Sequence, residues 1–149
     1  MTMTDTEWRS HLVSDSAGIA RILDDARRIA VLGIKMEPDQ PAYYVPEYAQ
    51  EAGFEIIPVP VYYPDAKEIL GKPVYRKVAD VPGDVDIVNV FRRSHDVLAH
   101  VDDIIAKKPK AVWMQLGISN AEAAERLARA GIDVVQNRCL MVELQRHGR

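Results

Sequence analysis

Blocks of apolar residues alternate with polar stretches along the chain, and the period changes from block to block. Ile29-Ala30-Val31-Leu32-Gly33-Ile34 is an unbroken apolar run, which reads as a strand buried on both faces. Runs of the same kind predict strands over Phe54 to Val59, Val85 to Phe91, Ala111 to Leu116 and Ile132 to Val135. Helical spacing fills the intervals between them. Ile19, Ile22, Leu23 and Ala26 follow possible caps at Ser14-Asp15-Ser16, and Val45, Tyr48, Ala49 and Ala52 mark a second helix that Pro41 opens and Gly53 ends. Val97, Leu98, Val101, Ile104 and Ile105 predict a third helix capped by Ser94, and Ser119 to Glu122 reads as a capping box for a fourth that Gly131 ends. A last short helix starts near Leu140. Residues 60–84 are broken by Pro60, Pro64, Gly71, Pro73, Pro82 and Gly83, and there only a short helix at Asp65 to Leu70 and an extended piece at Val74-Tyr75 are predicted. Pro58 is expected at the carboxyl end of its strand, where ladder pairing finishes.

Strands alternating with helices predict an α/β fold: a Rossmann-like doubly wound sheet of about five mainly parallel strands, with helices on both faces. The length of 149 residues suits a single domain spanning 1–149, with residues 1–14 expected as a flexible leading segment. In such sheets ligands bind at the carboxyl ends of the strands, near the point where strand order reverses. The loops to inspect follow Gly33, Val59, Phe91, Leu116 and Val135.

Composition narrows the partners. With 48% hydrophobic and 28% charged residues and a net charge of -3, the chain has no basic field for nucleic acid. The first residues have neither the apolar core nor the cleavage site of a signal peptide, and no stretch approaches about 18 uncharged apolar residues. A cytoplasmic protein without membrane contact is expected. Cys139 is the only cysteine, which excludes an internal disulfide and a cysteine metal cluster. His95 and His100 are five apart and do not share a helix face, and no nucleophile elbow or Walker loop is present.

The loop from Gly33 to Tyr43 joins a strand end to a helix start, an arrangement that presents amides and a helix dipole to an anion. Lys35 adds a cation. The alternative is a plain turn at Gly33 with Asp39 capping the helix. G-x-G-x-x-G is absent, and the second strand ends Pro58-Val59-Pro60-Val61-Tyr62-Tyr63 without the acidic residue that holds a nicotinamide dinucleotide's ribose. Arg92 and Arg93 close the third strand, where guanidinium forks can hold phosphate or stack on a base, or else answer Asp86 and Asp96. Cys139 begins the last helix beside Arg138, with Glu143 one turn on; it is either a reactive thiol or a buried structural one.

Ile29 to Ile34 with Pro38 and Pro41, Glu68-Ile69-Leu70-Gly71 with Val74-Tyr75, Val85 to Arg93, Ala111 to Gly117 and Asn137-Arg138-Cys139 occur together and in order. In these features the sequence resembles the small stand-alone CoA-binding proteins, relatives of the CoA-binding domain of the succinyl-CoA synthetase alpha subunit. The resemblance implies non-catalytic binding of coenzyme A or an acyl-CoA, with phosphates at the Gly33 loop and adenosine near the loops after Val59 and Phe91. The implied contacts are Gly33, Ile34, Lys35, Gln40, Ala42, Tyr43, Val59, Phe91, Arg92, Arg93 and Ser94. Similar proteins usually carry Ser at position 35, Arg at 40, Ser at 42 and Asn-Pro near Pro60-Val61. Two other expectations stay open: a binder of another adenine nucleotide, and an interaction or regulatory subunit with a vestigial pocket, as a homodimer or with a protein partner. A mixed disulfide between Cys139 and the CoA thiol is a further expectation.

Overall fold

Five short apolar runs pair into one parallel sheet because each can bury both faces under helices. The computed structural model describes residues 6–149. Strands β1 (Arg28–Leu32), β2 (Glu55–Val59), β5 (Ile87–Val90), β6 (Ala111–Met114) and β7 (Asp133–Val135) lie in the order β2-β1-β5-β6-β7. All four pairings are parallel. Strand order therefore reverses between β1 and β5. The chain belongs to the doubly wound, Rossmann-like class.

The two faces are separate cores. Ile29 and Val31 point to one side with Ile56, Ile87 and Trp113, covered by α1 (Ser16–Asp25), α2 (Pro41–Glu51) and α5 (Leu140–Arg146). Ala30 and Leu32 point to the other with Val88, Val90, Val112 and Met114, covered by α3 (Val101–Lys107) and α4 (Ala121–Arg129). At the amino end of the sheet, Asp86 accepts from the backbone N–H groups of Arg27 and Arg28, each at 2.8 Å. Burial opposes ionisation of Asp86, but these two amides and Lys110 hold its carboxyl below the ordinary range.

Several local expectations are corrected. Asp65 to Leu70 is not helical: β3 (Glu68–Ile69) and β4 (Lys72–Pro73) form an antiparallel hairpin. Its turn puts Leu70 at φ 55 and Gly71 at φ 75, the paired left-handed geometry of tight hairpins. Leu is an unusual residue there, so its type did not announce the turn. Asn120, not Ser119, caps α4, accepting from the Ala123 amide at 2.9 Å. Ser94 opens a 3-10 segment over Ser94–His100 without a side-chain cap, and α2 is preceded by Gln40, not by a capping Asp39. Pro58 is tolerated because β2 is an edge strand of the five-stranded sheet; its carbonyl accepts from Tyr75 at 3.0 Å.

The leading segment is also packed where it is described. Trp8, in a 3-10 turn over Trp8–His11, is buried against the α4 side of the core, and Leu12 bridges Val134 of β7. Arg9 and Arg129 stand over the Trp8 ring at 4.6 and 5.2 Å. Residues 1–5 of the expected flexible stretch lie outside the described residues. Trp8→Ala should remove about 3 kcal/mol of folding stability, read as a lower urea midpoint at unchanged slope. A change under about 0.5 kcal/mol, the scale of an ordinary surface substitution, would show that this segment is not part of the fold.

Candidate functional site

The candidate site is the carboxyl edge of the sheet at the β1/β5 reversal, where Gly33 sets the spacing of the strand ends. Gly33 sits at φ 87, and a Cβ there would come within 2.3 Å of the Phe91 carbonyl oxygen. Any side chain would push the two strand ends apart. The Gly33 amide is not free for a ligand, since it donates to Val59 O at 2.9 Å. Most other donors of the loop are used as well. Lys35 N–H goes to Ala42 O and Gln40 N–H to Glu37 O, at 3.1 and 3.0 Å. In the first turn of α2 the Tyr43 and Tyr44 amides both reach Gln40 O, and Pro41 has none. That leaves Ala42 as the helix-start amide without a backbone acceptor.

Two grooves flank this point. One, of about 390 Å3, runs from Lys35, Gln40 and Ala42 past Phe91 to Gln115 and Ile118. The other, of about 670 Å3, lies between the exit of β2 at Pro60-Val61 and the start of α3, with Arg76 and His100 on its walls. Arg92 stands between them. Its backbone belongs to the end of β5, it lines the first groove, and its guanidinium faces His100 and the Tyr62 ring, 6.0 Å away. Two smaller depressions, around Glu55 and Lys72 and around Asp25 and Asp133, lie away from this edge.

Both arginines face Asp96, Arg92 from 3.7 Å, and Arg92 alone also meets a histidine. Arg93 is exposed and bonded to Asp96 at 2.8 Å, and that bond, reinforced by the neighbouring cations, holds the Asp96 carboxyl below its ordinary range. Arg92 is largely covered; its Nε donates to His100 Nε2 at 3.3 Å. Arginine has no acceptor, so His100 Nε2 must be unprotonated and the ring proton lies on Nδ1. Burial, and then the Arg92 charge, push the His100 pKa below its ordinary value. Asp86 takes no part, being at the opposite end of the sheet. Ser94 also lines the first groove, and it is fixed by bonds from Ser119 N and Asn120 Nδ2.

Among the remaining residues picked from sequence, Ile34 and Val59 are fully buried beneath the edge and Tyr43 is half-buried; none of the three lines a groove. Cys139 precedes α5 and packs partly against the core, outside both grooves. Arg138 is engaged elsewhere, with Glu143 at 3.2 Å and Ser14 O at 2.7 Å.

With this geometry in hand, the comparisons with known proteins are specific. The family described as CoA binding domain matches residues 27–145. The chain belongs to that CoA-binding domain family. The Bacillus subtilis (strain 168) uncharacterized protein YneT is 36% identical over 126 residues, 85% of this chain and 91% of that one. A Thermus thermophilus structure, cell-free ID.343, is 37% identical with a TM-score of 0.82, covering 89% of this chain and 98% of that chain. A dinucleotide-forming acetyl-coenzyme A synthetase 1 of Ca. Korarchaeum cryptofilum is 25% identical with a TM-score of 0.61. It shares 72% of this chain but only 25% of its own length, so this CoA-binding domain corresponds to one part of that enzyme. The likeness to the synthetase-type CoA-binding domain read from the sequence is thereby established.

Sequence reasoning missed Gln115, Leu116 and Ile118 on the first groove and Arg76 and His100 on the second. Strand-end position was the available signal for the former. No helix among the described residues is long and apolar enough to cross a membrane.

The His100 arrangement makes a testable statement. The folded state holds this imidazole neutral, whereas the unfolded chain lets it protonate near 6.5. Its contribution to stability is intact above that value and is lost as pH falls through the depressed folded pKa. NMR titration should give His100 a midpoint below 6.5, and Arg92→Gln should move it upward. A midpoint at or above 6.5 would overturn the Arg92–His100 contact.

Proposed function

We propose that the protein binds coenzyme A or an acyl-CoA across the strand reversal, as a carrier or sensor site without chemistry of its own. The observation that carries this is that Arg92, which lines the first groove, donates to His100, which lines the second. A ligand with a flat polar head, a phosphate-bearing centre and a long thin arm fits such a layout. Adenosine occupies the groove beside Tyr62, Arg76 and His100. The phosphates lie at Arg92, Lys35 and the start of α2, where a guanidinium, an ammonium and the Ala42 amide supply charge and hydrogen bonds. The pantetheine arm follows the less polar groove along Ala42 and Phe91 toward Leu116. Family membership supports the ligand class, since the matched region contains every one of these residues.

Lys35 takes the position where similar proteins carry a hydroxyl, and its reach replaces a short hydrogen bond with a longer-range charge. Gln40 and Ala42 remove a cation and a hydroxyl from the same loop. Arg92 and Lys35 are then the two charges on which phosphate affinity depends.

A second reading, an interaction or regulatory subunit, is favoured by the apolar rim at this edge, where Tyr62 is 57% and Leu116 66% exposed. Nucleotide titrations separate the readings. At 100 times its Kd, a ligand bound only by the folded state adds about 2.7 kcal/mol, equivalent to roughly 5–10 °C in Tm for a domain of this size. CoA should produce that rise, AMP and NAD a smaller one, and Arg92→Ala should weaken CoA binding more than about tenfold while circular dichroism stays native. No shift with millimolar CoA overturns the proposal, and copurification with a protein partner in that case supports the second reading.

A further inference from the structure

The phosphate loop already holds an anion of its own. Tyr63 Oη donates to Glu37 Oε2 at 2.5 Å, and the Met36 amide points at both groups, 3.2 Å from Tyr63 Oη and 3.3 Å from Glu37 Oε2. Among the loop donors described above, the Gly33, Lys35 and Gln40 amides are consumed by backbone carbonyls that cannot leave without unfolding the loop. The Met36 amide is different: its partners are two side chains, the exposed Glu37 and the half-buried Tyr63. It is therefore the donor that a ligand can win by displacing a side chain alone.

Tyr63 is held in place to make this contact. It has φ 61, a left-handed conformation uncommon for a non-glycine residue, and Arg76 braces it by donating to the carbonyls of Tyr62, Tyr63 and Ala66. The bond from Tyr63 is the first cause that keeps the Glu37 carboxyl ionised below its ordinary range, and the charge of Lys35 acts in the same direction. Glu37 thus partly neutralises the cation that the loop offers to phosphate. The contact also joins the β1 exit to the β2 exit, on the β2 side of the reversal.

We propose that Glu37, latched by Tyr63, is an internal competitor for the phosphate loop: a ligand phosphate must displace its carboxylate to reach the Met36 amide and the full charge of Lys35. This rests on the CoA reading above and names the regulation of the same site. In the latched form the loop is closed and weakly attractive to anions. In the released form Met36 N–H and Lys35 face the ligand, and Glu37 moves to solvent.

Calorimetric titration of CoA into the intact protein, Glu37→Gln, Tyr63→Phe and the control Glu51→Gln tests it, together with hydrogen exchange at the Met36 amide. Glu51 is an exposed carboxylate at the far end of α2. Glu37→Gln should bind CoA on the order of threefold more tightly, as the removal of one exposed opposing charge allows, and the gain should shrink as salt is raised. Tyr63→Phe should gain less, because the charge remains, but should speed Met36 exchange. Glu51→Gln should match the unaltered protein. Binding by the unaltered protein with equal or weaker binding by Glu37→Gln overturns the latch and leaves the CoA reading standing. An unprotected Met36 amide in the unaltered protein overturns the latch as well. If neither the unaltered protein nor any variant binds CoA at millimolar concentration, the CoA reading fails and the latch with it.

Discussion

At the strand reversal two backbones touch with no side chain between them. The missing Cβ of Gly33 lets the end of β1 lie against the Phe91 carbonyl, and every other feature of the carboxyl edge takes its position from that contact. Because β1 and β5 stay together there, Arg92 is delivered directly beside the Gly33 loop rather than a strand-width away. The grooves then open on either side of a narrow floor instead of merging into one broad cleft. A polypeptide can supply such a floor only where a residue tolerates both φ 87 and the close carbonyl.

The ends of the sheet are chemically opposite, and this too follows from the parallel arrangement. At the amino end, strand amides emerge unpaired, and Asp86 meets two of them. At the carboxyl end the loops place Lys35, Arg92 and Arg93 on the first groove with no acidic residue in its lining, whereas Arg76 and Lys77 share the second with Asp80, Asp102 and Asp103. The net charge of the whole chain is -3, so the cationic character of the first groove is a matter of local placement. A groove of that kind suits an anion even on an acidic protein.

The strands were legible in the sequence because each is a continuous apolar run, buried on both faces. Helices were legible for the same reason, since each shows one apolar stripe to one of the two cores. The hairpin at Glu68 to Pro73 was not, because Leu70 takes a left-handed conformation that its residue type does not advertise. Trp8 was not, because its burial is decided by α4, more than a hundred residues away. The candidate groove was legible at the level of strand ends: of the residues picked from sequence, Lys35, Gln40, Ala42, Phe91, Arg92, Arg93 and Ser94 line one groove. Which donors are already spent was beyond sequence. That Gly33 N–H belongs to Val59, or that Arg92 faces a histidine, depends on bonds between loops that local pattern does not encode.

Those bonds also divide the site into a fixed wall and an adjustable one. The β6 exit is tied down by Asn137 to the Gly117 amide at 2.7 Å, by Ser94 to Ser119, and by Gln115 to the Leu140 amide at 3.2 Å. The Gln115–Leu140 bond is buried and is shared with Asn89, whose side-chain amide also reaches Gln115, while the other two ties are exposed. The β1 and β2 exits are joined at their base by the backbone bond from Gly33 to Val59, and farther out by the exposed contact of Tyr63 with Glu37, with Arg76 bracing only the β2 side. Breaking an exposed pair costs little, whereas uncovering a buried network leaves polar groups without partners. A ligand entering the reversal therefore meets a rigid β6 side and a yielding β1–β2 side. The low cost of that motion lies in the chemistry of two surface side chains, not in any looseness of the sheet beneath them.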